Sequence, residues 1–95
     1  MPYLILFEDA TGHDHTRAAH MADHLAFLTA HAAQIDAAGP LFDGDSGAGG
    51  AWVADVDTAE EAMQLVHADP FWPTGLRKSV RVLRWKQVFR AGAVQ

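Results

Sequence analysis

The residues that follow Met1-Pro2, Tyr3-Leu4-Ile5-Leu6-Phe7, are apolar at every position, the pattern of a strand in the middle of a sheet covered on each side. Helices are the expected cover on one side. Glu8 to Arg17, with Gly12 and several acids and histidines, reads as a loop, and Thr16 or its polar neighbours can cap the helix that follows. From Ala18 to Ala38 the chain is rich in alanine, and Met21, Leu25, Leu28, Ala32 and Ile35 recur every three or four residues, which predicts an amphipathic helix of about five turns. Gly39-Pro40 ends it, and Leu41-Phe42 opens a short second strand. Asp43 to Gly50 reads as a flexible glycine-rich connection, without the lysine or spacing of a phosphate-binding loop. Ala51 to Val56 sets Trp52, Ala54 and Val56 against Val53 and Asp55, a strand with unequal faces. Asp57 or Thr58, with Glu60 or Glu61 behind it, caps a second helix whose buried side is Ala59, Ala62, Met63, Leu65 and Val66, and which stops before Asp69-Pro70. Phe71-Trp72-Pro73-Thr74-Gly75 is an aromatic turn, Ser79 to Lys86 the last strand, and a tail runs on from about residue 87.

The order strand, helix, two strands, helix, strand is that of an α+β, ferredoxin-like split βαβ sandwich, here a single domain over 1–95. Two helices on one side of four antiparallel strands leave a second sheet face. Trp52, Leu83, Trp85 and alternate members of the Tyr3–Phe7 run are expected to supply it. Such an apolar face exceeds what a monomer usually exposes, so a homodimer pairing sheet against sheet is expected. The competing arrangement folds the tail, with Val88 and Phe89, across that face as a lid.

With 95 residues the chain is too short for two independent catalytic domains. Its lack of cysteine removes disulfides, thiolate nucleophiles and zinc–thiolate clusters, and suits a cytoplasmic protein. The apolar N-terminal run is too short for a signal peptide or a membrane span and has no basic flank. Seven basic and twelve acidic side chains give a net charge of -5, unevenly spread. Residues 1–69 carry a net -11 and residues 70–95 a net +6, so the two parts should attract each other. The basic end alternates with Val80, Val82, Leu83 and Trp85, and the acidic remainder would repel phosphates, so nucleic acid is not an expected partner.

Six histidines leave imidazole as the main candidate for chemistry. On a helical wheel His24 lies about 100° from Leu25, at the edge of the apolar stripe, with His31 and His20 further toward solvent. An edge position suits a general base, because one ring edge can face a cavity, although such histidines are more often structural. His20 and His24 are spaced as two metal ligands could be, but the glutamate of a metalloprotease motif is missing and His13, Asp14 and His15 fix no third ligand, so no metal is expected. Asp69, between a helix end and Pro70, can be anchored in an apolar corner, where it would orient an imidazole or cap the following turn through backbone N–H groups. Arg77 and Arg81, with Lys78 and Arg84 nearby, could bind an anionic substrate; alternation puts Arg77, Arg81 and Leu83 toward one side if the strand begins early. Phe71 and Trp72 could wall a pocket.

The pair His24-Leu25 within a helix, Gly39-Pro40-Leu41, the glycine-rich loop, the acidic helix start between Val56 and Met63, and above all Ala68-Asp69-Pro70-Phe71 followed by Gly75-Leu76 resemble, in order and spacing, the YCII-related family over nearly the whole chain. That resemblance implies a ferredoxin-like domain that dimerises into an α/β barrel of the muconolactone isomerase-like superfamily. It also implies an active-site pair, His24 and Asp69, working by acid/base chemistry of the lyase or isomerase type, dehydrochlorinase-like, on small phenolic or carboxylate substrates without a cofactor. Gly39, Pro40 and Phe71 would then shape the pocket and Trp72 close one side. Family members often carry an arginine three residues before the helix histidine; Met21 stands there, and Arg17, one turn earlier, is the candidate replacement. An enzyme and a non-catalytic ligand-binding module both require His24 and Asp69 around a shared cavity. A purely structural role requires a filled cleft, with His24 bonded only to backbone.

Overall fold

The computed structural model describes residues 2–95. Strand β1 (Pro2–Asp9) leads to helix α1 (Asp14–Ala30), strands β2 (Ile35–Asp43) and β3 (Ser46–Asp55), helix α2 (Ala59–Ala68), a single 3-10 turn at Trp72–Thr74, and strand β4 (Arg77–Arg84). The strands form one antiparallel sheet in the order β2-β3-β1-β4, the ferredoxin-like topology. A small hairpin, β5 (Phe89–Arg90) and β6 (Ala93–Val94), ends the chain.

Strand β1 is central, as its all-apolar run requires. Tyr3, Ile5 and Phe7 are buried and pack with Trp52, Ala54, Ile35 and the α2 residues Ala62, Leu65 and Val66, while Phe27 and Leu28 of α1 close over them. Both helices therefore cover the same face. Helix α2 begins as its sequence dictates: Thr58 accepts the Glu61 N–H at 3.1 Å, and Glu61 reaches back to the Asp57 N–H at 3.4 Å.

Five parts of the chain depart from the sequence reading. Helix α1 starts at Asp14 and ends at Ala30, so Ile35 to Ala38 belong to β2. Alanine favours helix, but β3 offers this segment a ladder of partners, interrupted by register shifts at Ile35/Ala37 and Pro40/Phe42, with Ile35 opposite Ala54 and Asp43 opposite Ser46. The glycine-rich connection is accordingly most of a hairpin, turning at Gly44-Asp45, and Gly49 allows a bulge in β3. At φ +89° a Cβ on Gly49 would lie 1.9 Å from the Phe7 carbonyl oxygen, so no other residue fits there unchanged. Trp52 lies on the helix-covered face, 1% exposed, because it opposes Ile5 in the ladder. The second face is made by Leu4, Leu6, Val53 and Leu83, with Leu83 and Trp85 exposed. Strand β4 starts two residues early, and the tail makes its own hairpin with Val88, Phe89 and Val94 exposed instead of lying over the sheet as a lid. The sheet stays open in a single chain.

Candidate active site

Pro70 bars the residue before it from helical conformation, so α2 ends at Ala68 and Asp69 turns extended, with φ -64° and ψ 132°. That turn carries the Asp69 carboxylate back under α1. Its Oδ1 lies 2.8 Å from His24 Nδ1 and also accepts the Phe71 backbone N–H at 3.1 Å. The capping and imidazole-orienting roles open to Asp69 are thus filled by one oxygen. The residues are 7% and 2% exposed. A carboxylate accepts only, so Nδ1 carries the proton and Nε2 is left with its lone pair. The imidazole lies nearly flat on Phe71, ring centres 4.2 Å apart, with Trp52 at 6.4 Å. Phe71 is wholly buried, so it backs the imidazole from the protein side.

His24 sits at the centre of the inward face of α1. Arg17, His20, Met21, Phe27, Leu28 and His31 all fall within about 60° of it on a helical wheel and all are partly buried, whereas Leu25 is 52% exposed. The inward face is therefore turned about 60° from the middle of the apolar stripe, near Met21, toward the histidines, which leaves Leu25 at its outer edge in solvent. Between this face and β2–β3 lies a cavity of about 120 Å³, walled by His24, Arg17, Met21, Leu28, Gly39, Pro40, Trp52 and Arg77. It meets, at Arg17, Met21 and Pro40, a wider groove of about 780 Å³ that runs between the β1–α1 loop and the β2–β3 hairpin. Nε2 makes no hydrogen bond among the described residues and is not sealed from solvent.

Gly39, Pro40 and Arg77 thus line the same cavity as His24. Phe71 is behind the imidazole, and Trp72 packs on His67, ring centres 4.7 Å apart. Arg81 opposes Leu6 on the other sheet face, because a bulge at Lys78 reverses the alternation between Arg77 and the rest of β4. Arg77 is turned inward by that bulge, where its Nη1 donates to Asp9 Oδ1 at 2.9 Å and its guanidinium covers Phe7 at 4.2 Å. Arg17 binds the other oxygen of Asp9. Sequence reasoning missed Asp9 and Trp52 as parts of this region. Trp52 was recoverable: it alternates with Ala54 and Val56, while Asp55 marks the opposite side as the wetter one. No group of three or more His, Asp or Glu side chains with metal-binding geometry occurs among the described residues, and no helix there is long and apolar enough to cross a membrane.

The model of the YCII-related domain matches residues 1–86. Among solved structures, the chain is similar to the 5-chloro-2-hydroxyhydroquinone dehydrochlorinase TftG from Burkholderia phenoliruptrix AC1100, in complex with 2,5-dihydroxybenzoquinone, with a TM-score of 0.79 and 30% identity over 90% of this chain and 94% of that one. No curated protein matches it. Topology, the His24–Asp69 pair and these matches agree, and the chain belongs to the YCII-related family.

Proposed function

We propose that this protein is an acid/base enzyme of the lyase or isomerase type that moves protons on a small phenolic or quinone-like ring, with His24 as base and Asp69 as its orienting partner. The observation that carries this reading is the 2.8 Å contact between His24 Nδ1 and Asp69 Oδ1, which leaves Nε2 unpaired in a cavity. Nε2 takes a proton from a ring hydroxyl or an acidic C–H, and the bonding pair stays on the substrate as a phenolate or enolate. That anion then either recovers the proton from the imidazolium at another atom, an isomerisation, or expels a leaving group with its bonding pair, an elimination. Asp69 faces the imidazolium throughout. General acid/base participation of this kind contributes about 10²–10⁴-fold to rate. The cavity, about 120 Å³, is close in size to the ~150 Å³ void that accepts benzene in another protein, and the ring substrate of the similar dehydrochlorinase supports the same class.

A purely structural histidine bonded only to backbone does not describe this site, because the partner of His24 is a side-chain carboxylate. The uncovered face of Leu4, Leu6, Val53 and Leu83 supports a homodimer closed sheet against sheet, and the absence of cysteine suits a cytoplasmic setting. The test is conversion of small phenols, hydroxyquinones and lactone acids, followed by mass spectrometry, with His24→Ala and Asp69→Asn alongside the wild type. Turnover that disappears in His24→Ala upholds the reading. Compounds that bind without being converted by the wild type would make the protein a ligand-binding module, and turnover unchanged in His24→Ala would remove the base.

A further inference from the structure

Arg77 is a buried cation whose place in the cavity wall the His24–Asp69 pair does not account for. Its side chain is only 5% exposed, and its Nε is enclosed with no hydrogen-bond partner among the described residues. A guanidinium stays charged at all working pH values, so burying one is costly unless that charge is met. Asp9 meets it incompletely, because the same carboxylate is also bound by Arg17. Two cations thus share one anion, and the cluster keeps a net positive charge beside the cavity that both arginines line. Gly50 keeps that position open, since a Cβ there would stand 3.3 Å from Arg77 Nη1. Of the other acids nearby, Glu8 is directed to Ser79 and Lys78, Asp69 to His24 and the Phe71 N–H, and Asp14 is exposed on the wider groove.

We propose that Arg77, assisted by Arg17, forms an oxyanion subsite that restricts this protein to ring substrates bearing an ionised hydroxyl, enol or carboxylate beside the reacting centre. This rests on the proton-transfer reading for its chemical step alone. When Nε2 removes a hydroxyl proton, the O–H bond breaks, an N–H bond forms, and the electron pair left on the ring oxygen faces the guanidinium fork. Positive charge already fixed in position stabilises that oxygen without rearrangement.

The test is calorimetric titration with 2,5-dihydroxybenzoquinone, a vinylogous dicarboxylic acid and hence an anion at neutral pH, and with uncharged hydroquinone. The wild type should bind the anion at least about tenfold more tightly than the neutral ring, and Arg77→Met should lose at least about tenfold for the anion alone. Lys78→Met, which removes the same charge from an exposed position, should leave the anion affinity within about twofold. Should Arg77→Met fail to fold by circular dichroism, Arg77→Gln, which keeps a donor for Asp9, replaces it with the same expectation. No preference for the anion in the wild type, wild-type affinity in a folded Arg77 variant, or an equal loss in Lys78→Met would overturn the subsite. His24→Ala should retain anion binding; Arg77-dependent binding in a wild type that converts none of the screened compounds would uphold the subsite while removing the proton-transfer reading.

Discussion

Replacing Asp69 by asparagine separates the charge of this carboxylate from its geometry. Oδ1 accepts from two donors, His24 Nδ1 at 2.8 Å and the Phe71 N–H at 3.1 Å. The backbone donor cannot turn away, so the carbonyl oxygen of asparagine takes the place of Oδ1. The flipped amide would set two N–H groups against each other and orphan a buried donor, at about 1–3 kcal/mol. The Nδ1–H tautomer of His24 therefore persists, and what disappears is the negative charge beside the imidazolium. Hydrogen bonds to a charged group contribute on the order of 1.5–3 kcal/mol against about 1 for neutral ones. The difference, about 0.5–2 kcal/mol, makes the loss in kcat roughly 2- to 30-fold, with little change in Tm. Asp69→Ala is different: it strands both buried donors, roughly 2–6 kcal/mol from a total stability of ~5–15 kcal/mol, so activity and Tm fall together. Steady-state rates on the substrate found by screening, thermal melts of both variants, and histidine ¹⁵N spectra that report the tautomer make the comparison. Wild-type rate in Asp69→Asn, a Tm as low as that of Asp69→Ala, or a switch of His24 to the Nε2–H tautomer would refute the reasoning.

Gly49→Ala should cost about 3 kcal/mol or more, because a Cβ is driven into the Phe7 carbonyl at φ +89°; an unchanged urea midpoint would contradict the bulge. Thr58→Ala should cost about 0.5–2 kcal/mol by removing the acceptor for the Glu61 N–H, read from the same denaturation curves, and no shift would mean the cap contributes nothing. Leu83→Glu puts a charge on the uncovered sheet face and should turn the proposed homodimer into a folded monomer by analytical ultracentrifugation; a dimer that survives would place the interface elsewhere, and a monomeric wild type would remove the sheet-to-sheet pairing.

Local rules were sufficient where one segment decides its own conformation. The all-apolar β1, the Thr58–Glu61 cap and the stop before Asp69-Pro70 were legible because each depends on side-chain pattern, a capping hydrogen bond or the proline ring. Legibility failed where a distant strand competes with local preference. Ile35 to Ala38 look helical among alanines, yet β3 supplies them with hydrogen-bond partners, and no property of those residues announces the strand that will pair with them. A one-residue bulge at Lys78 sends Arg77 and Arg81 to opposite faces in the same way, since alternation counts residues and a bulge breaks the count.

The displaced stripe of α1 has a different cause, and it is tied to the site. A wheel finds the buried side of a helix by assuming that the most apolar side is the one removed from water. Leu25, at one edge of that side, stays 52% exposed. The side turned inward carries Arg17, His20, His24 and His31 among Met21, Phe27 and Leu28. Polar groups can be turned inward when partners await them, and here Asp9 receives Arg17, Asp69 receives His24, and His31 Nδ1 bonds the Phe27 carbonyl oxygen. Those carboxylates come from β1 and from the end of α2, which α1 meets only after the chain has folded. The edge of the helix that hydrophobicity sets at the boundary with water is the one that carries the candidate chemistry, and the side chains that compensate its burial are those that orient the His24 imidazole and pair with Arg17 beside it.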